Sequence, residues 1–300
     1  MENLGNIEYW TLSEIANEGA RKANNSRVTH EINIAKDGPS IQEVHSEALR
    51  DYGEIKKLIL AAFSIIKRLG FSYVGDAADL GSGTGIGATI LSNVYEINKI
   101  YAIEYSEQFV LKMMPTVFSD FGAKTEKIIR VVGDFNNLKL KDASLTVLLD
   151  IDSFHHSENL GYTLKECNRV LKPGGLIISI DRAWPDSCSR EELEKKLDVE
   201  YSDKSKAVFG IPPGESYRRR DNGEHEYTIS DWLTYYKKSG FDPFVFSQIH
   251  LPKLNSIFIK IVSGFKISLF LSGLMSKLGF RRLFLYGFNP TRKLFIAIKR

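Results

Sequence analysis

The stretch Asp79-Leu80-Gly81-Ser82-Gly83-Thr84-Gly85-Ile86-Gly87 follows a short apolar run and opens the helical segment 88–95. Glycines placed there let the backbone turn tightly and let a ligand approach the N–H groups at a helix start. Several nucleotide-binding families use such loops, so the loop alone names no ligand. As a strict GxGxxG it fails, because Ile86 stands at the third position, whereas the register Gly83-x-Gly85-x-x-Ala88 passes.

Outward from the loop, short apolar runs ended by Gly or Asp alternate with helical stretches, the pattern of βαβ units on a parallel sheet. It predicts strands at about 77–80, 100–104, 128–132, 145–149 and 176–180, with two last strands at 244–249 and 294–298. The fold class expected is α/β, a doubly wound, mostly parallel seven-stranded sheet with an antiparallel last strand. Residues 1–72 read as an N-terminal helical cap, because 41–69 spaces Leu49, Ile55, Leu58, Ile59, Ala62 and Ile65 at helical intervals. The core then runs over 73–300, with inserted lid segments at about 200–224 and 251–290. Ser189 and Glu192 form a capping box that predicts a helix from 189 to 199, and a second helix is expected over 230–238.

Length and composition suit an ordinary globular chain: 300 residues, 43% hydrophobic, 26% charged, net charge +3. That charge is too small to imply a nucleic-acid partner. Its distribution is uneven, since Phe244 to Arg300 holds ten Lys and Arg and no Asp or Glu. Cys167 and Cys188 have neither disulfide-framework nor zinc-ligand spacing, and the first residues lack a basic, apolar leader, so a reducing cytoplasmic setting is expected. The apolar run from Ile257 to Met275 is broken by Lys260 and Lys266, against a spanning helix.

Acidic residues recur at the expected strand ends. Glu104 lies about twenty residues beyond the loop, where a carboxylate accepts both hydroxyls of a ribose. Asp134 and Phe135 follow the third of these strands, placed to accept from an adenine amino group and to stack on its ring. Asp150 ends the fourth, facing the same crevice. Beyond it, Asp150-Ile151-Asp152-Ser153-Phe154-His155-His156 supplies two candidate bases, because imidazole removes a hydroxyl proton near neutral pH. Adjacent side chains on a regular element cannot both face one pocket, which leaves one His to cap the following helix.

Together, the glycine loop, Glu104, Gly133-Asp134-Phe135, Asp150 and the turn Asn168-Arg169-Val170-Leu171-Lys172-Pro173-Gly174-Gly175 resemble the class I S-adenosylmethionine-dependent methyltransferase family. The resemblance covers about 74–249 and the final strand. It implies S-adenosyl-L-methionine as cofactor, its methionine part held by Asp79, Gly81, Ser82, Gly83 and Gly85, with Asp150 lining the same crevice. Glu104 would then hold the ribose, and Asp134 with Phe135 the adenine. Family members often carry a His at the place of His156, which makes it the first candidate for the catalytic base and His155 the second. Asp150 and Asp181 occupy places where catechol-type O-methyltransferases bind magnesium, but Arg182 replaces the Asn of that family and no metal is expected. Asp150-Ile151-Asp152-Ser153 also departs from the (Asp/Asn)-Pro-Pro-aromatic motif of amino-methylating DNA enzymes.

The function expected is methyl transfer to a small-molecule or glycan acceptor, on oxygen ahead of nitrogen, with a non-catalytic cofactor-binding partner protein as the alternative outside enzymes. Acceptor choice should lie outside the resemblance, where His45, Tyr52 and the run Tyr217-Arg218-Arg219-Arg220 stand. Those arginines suit a phosphorylated or acidic acceptor, or else form a solvated charged loop. The segment 251–290 is read as a lid or homodimer surface ahead of a membrane-surface element.

Overall fold

The computed structural model describes residues 6–14, 16–19, 41–208, 211–212, 214–248, 265–285 and 291–300, with the backbone alone over 41–51, 204, 207–208, 248, 265–268 and 284. Gly210, Pro213, Ile249 and the whole 251–264 stretch with Ile257, Phe258 and Ile261 lie outside the described residues, as do the side chains of His45 and Phe265. Nine strands form one sheet: β1 (Asn6–Tyr9), β2 (Gly75–Leu80), β3 (Ile97–Glu104), β4 (Ile128–Val132), β5 (Leu145–Ile151), β6 (Leu171–Arg182), β7 (Phe241–Gln248), β8 (Arg282–Leu285) and β9 (Arg292–Lys299). The helices that matter below are α1 (Ile41–Arg68), α2 (Ile86–Ser92), α3 (Met114–Asp120), α4 (Leu160–Val170), α5 (Arg190–Leu197), α6 (Asp203–Val208), α7 (Ile229–Lys238) and α8 (Phe265–Lys277).

The strand order is β1-β4-β3-β2-β5-β6-β9-β7-β8. Pairing is parallel except where β9 runs antiparallel between β6 and β7. All seven expected strands are present, so the sheet is the doubly wound one read from the sequence. Two more extend its edges. β1 pairs with β4, inside what reads as the N-terminal helical cap, and β8 pairs with β7 inside the 251–290 insertion. Four-residue edge strands need only one neighbour and carry little alternation, which is why the pattern does not reveal them.

Central strands are buried from end to end because helices cover both faces. Consecutive residues enter opposite cores. Leu149 and Ile178 join Ile59, Ile66 and Ile90 of α1 and α2, whereas Leu148 and Ile177 join Leu164 and Trp232 of α4 and α7. The order reverses between β2 and β5, and in such sheets the crevice outside the carboxyl ends of those two strands takes the ligand. Register brings the ends level: Leu80 sits opposite Asp150, Asp150 opposite Ser179, and Glu104 opposite Val132.

Candidate active site

The glycine loop is organised from below by Asp79. Its buried carboxylate accepts from the Ser82 hydroxyl at 2.6 Å and from the Ala88 N–H at 2.7 Å, so it caps α2. Burial pushes the carboxyl up to about 6, opposed by those two donors. A Cβ on Gly85, at φ +90°, would meet the Phe118 ring of α3 at 2.6 Å, so core packing requires this glycine. Gly83, at φ +50°, faces open space, and its N–H donates to Glu104 Oε2 at 2.9 Å. Gly83 thus leaves open space beside Glu104. Asp79, expected to hold the methionine part of the cofactor, shapes the loop through its own bonds to Ser82 and Ala88.

Glu104 is buried, and its other oxygen accepts from the Ser106 N–H at 2.9 Å. Burial raises its pKa, while the two backbone donors oppose the rise. Both oxygens are thus fixed by the main chain and keep lone pairs for further donors. Asp134 accepts from the backbone N–H and side-chain amide of Asn136, both at 2.8 Å, and from the Ser13 hydroxyl at 2.6 Å. Ser13, brought over the sheet by β1, has no periodic signal in the sequence. Phe135 is buried in the second core, edge-on to Phe154 with centroids 6.1 Å apart.

Asp150 corrects the sequence reading. It is fully buried, and its carboxylate is spent on the Ser153 and Phe154 N–H groups and, at 2.5 Å, on the Ser179 hydroxyl. Expected to line the crevice, it instead fixes the turn after β5. Asp152 follows with φ +51°, a left-handed conformation rare for a side-chain-bearing residue, and pairs with Arg292 at 2.5 Å.

That turn also overturns the expectation that the two histidines point apart. They lie in a short 3-10 turn, not a regular element, and their rings stand side by side with centroids 4.3 Å apart. His155 Nδ1 is 2.7 Å from Asp181, and its N–H donates to the other Asp181 oxygen. His156 is less buried, and its Nδ1–H donates to the Asn222 carbonyl at 3.2 Å, which leaves Nε2 as the acceptor nitrogen. Burial lowers both imidazoles to about 3; Arg182 adds to this at His155, and His155 at His156. Both are therefore neutral at physiological pH.

Among the described residues, two groups of ligand-type atoms come within 4.8 Å of one another: His155, His156 and Glu224, and Asp152, His155 and Asp181. Each already contains a guanidinium, Arg182 on Glu224 at 2.5 Å and Arg292 on Asp152. A divalent ion would have to displace that charge, so neither group fits a metal well.

The 200–224 insertion covers this edge. Its arginines are committed to carboxylates: Arg219 to Glu226 at 2.9 Å, and Arg220 to Asp198 and Glu194 at 2.8 and 3.2 Å. Arg218 lies 3.5 Å from Asp198. Arg218 and Arg220, cations expected to suit a phosphorylated or acidic acceptor, thus fasten the insertion to the end of α5, and Arg219 is held on Glu226. Tyr201 and Tyr217 line it, each hydrogen-bonded with Asn222. Through Asn222 the insertion meets His156. Asn222 is a site residue that the sequence pattern does not single out.

A family profile described as "Methyltransferase domain" matches residues 78–179, from β2 through the glycine loop, Glu104, Asp134 and the histidines into β6. Residues 78–179 thus carry a methyltransferase domain, and the findings support one of the class I S-adenosylmethionine-dependent kind. Malonyl-[acyl-carrier protein] O-methyltransferase 1 of Coxiella burnetii is 29% identical over 147 residues, 47% of this chain and 47% of that protein. Sterol 24-C-methyltransferase ERG6B of Gibberella zeae is 28% identical over 103 residues, 33% of this chain and 27% of its own. The chain spans less than half of either relative's length. Among solved structures, a Bacillus halodurans C-125 protein assigned as a methyltransferase has a TM-score of 0.50 at 18% identity, over 79% of this chain and 98% of that one, a likeness of fold. The profile match ends before the 200–224 and 251–290 insertions.

Proposed function

We propose that the chain transfers the methyl group of S-adenosylmethionine to an oxygen of a small-molecule or glycan acceptor bound beneath the 200–224 insertion. The observation that carries this reading is the meeting, at one strand edge, of the Gly83–Glu104 cradle with the carboxylate-anchored histidine pair. The cradle fits the cofactor: a preorganised carboxylate with spare acceptor capacity suits ribose hydroxyls, and Gly83 leaves room beside it. Asp134 would read the adenine amino group, sharing its carboxylate with Ser13. The bound cofactor supplies a methyl already activated by its sulfonium, so the protein needs only to align a nucleophile and manage its proton.

His156 is the proposed base. Its Nδ1–H is held on the Asn222 carbonyl, so Nε2 faces outward to accept a hydroxyl proton. His155, pinned by Asp181 beside it, is a positioning residue that keeps the second ring in place. The His156→Ala variant should lower kcat by ~10²–10⁴ with a hydroxyl acceptor, measured by release of adenosylhomocysteine. A loss below about threefold would remove the base role.

One observation favours a second reading. Imidazoles lowered to about 3 are weak bases, and a free amine needs none. N-methylation of a small amine would leave the His156→Ala rate nearly unchanged and make activity track the acceptor's own ionisation.

A further inference from the structure

Helix α8 divides its apolar residues between two faces. The face it lays on the protein carries Leu269 and Met275, packed on the core, with Ser272, Gly273 and Ser276, all three buried, and Gly273 brings it against the Arg68 side chain at the end of α1. Its outer face carries Phe270, Leu274 and Leu278 at i, i+4 and i+8, with exposures of 56%, 50% and 70%. Phe280, just beyond, is 52% exposed. A helix meant for water on its outer face would show polar side chains there and not a second apolar stripe. An apolar ridge of this kind marks a binding surface.

The surroundings of the stripe indicate its occupant. The guanidinium of Arg68 lies over the Phe270 ring at 5.4 Å, next to Lys67 in the last turn of α1. Lys277 is exposed among the apolar residues, and Arg281 and Arg282 follow, held at the rim by Asp242 and Asp186. From Phe265 to Phe280 the sequence holds no acidic residue. A second copy would set Lys67, Arg68 and Lys277 against their own kind, and α8 itself carries no acidic side chain to meet them in an isologous contact. A bilayer supplies both halves of the complement, anionic headgroups for the cations and acyl chains for the leucine and phenylalanine tips.

We infer that α8 and the residues following it form a peripheral docking surface for anionic phospholipid membranes, with Phe270, Leu274, Leu278 and Phe280 inserted at the headgroup level. Among the described residues no helix is long and apolar enough to cross a membrane. The contact is therefore interfacial, and it moves the membrane reading ahead of the lid or dimer reading for this segment.

The test is co-sedimentation of the full chain with phosphatidylcholine vesicles with and without roughly one-third phosphatidylglycerol. The wild type should pellet with the anionic vesicles and be released by high salt. The paired variant Leu274→Glu, Leu278→Glu should partition about tenfold less or worse, with its melting temperature and adenosylhomocysteine affinity unchanged. No binding of the wild type to anionic vesicles overturns the proposal. So does a concentration-dependent dimer that the variant abolishes while vesicles bind neither protein. A melting temperature lowered in the variant by about 5 °C or more would mean that the stripe is covered by the chain itself, and also overturns it.

Discussion

At the residue scale, one carboxylate sets the geometry of the proposed cofactor site. Glu104 holds the Gly83 and Ser106 N–H groups, so its amide cannot simply replace it: one of the two donors would face an NH2. Glu104→Gln should weaken adenosylhomocysteine binding by roughly 10- to 100-fold, read by titration calorimetry, and an unchanged affinity would remove Glu104 from the site. The histidines make a pH prediction. Their folded pKa of about 3 lies below the ordinary value, so the unfolded chain binds more protons between the two. Their contribution to stability is complete above about pH 6.5 and is lost as pH falls toward 3. Asp79 and Asp181, raised to about 6, act oppositely between about pH 4 and 6, where the folded state binds the extra proton. Replacing both histidines by Gln should therefore narrow the gap in urea midpoint between wild type and variant as pH drops from about 7 to 4. A constant gap would contradict the burial argument.

At the element scale, the loop and the turn after β5 show how far local pattern reaches. The glycine loop was legible because glycine spacing is a local property. Which of its glycines leaves open space was not, since that depends on α3. Gly85→Ala must adopt φ +90° and displace Phe118, so a loss of about 2–4 kcal/mol is expected from urea unfolding. The capping box at Ser189 and Glu192 was equally legible and is formed, its signal being confined to four residues. The turn 152–156 was not. Alternation assigns neighbouring histidines to opposite sides, but a left-handed Asp152 and a 3-10 turn set both rings on one side. Asp150 changes role for the same reason: the backbone N–H groups of that turn need its carboxylate, which a strand-end reading cannot foresee.

Across the whole molecule, the sequence by itself determined the layered sheet, its seven main strands and the crevice at its order reversal. Buried parallel strands must be continuously apolar, and their connections must be helices, and both leave long, regular marks in one dimension. Tertiary structure alone decided what depends on distant segments meeting. It placed Ser13 on Asp134 and Asn222 under His156. It paired Arg218 and Arg220 with carboxylates at the end of α5 and Arg219 with Glu226. It also turned one apolar stripe of α8 outward, invisible in the list of residues because hydrophobicity along a chain does not say which side has a neighbour. Periodicity is written by local backbone geometry; a partner is chosen only when the chain folds back on itself, and that choice carries no periodic signature.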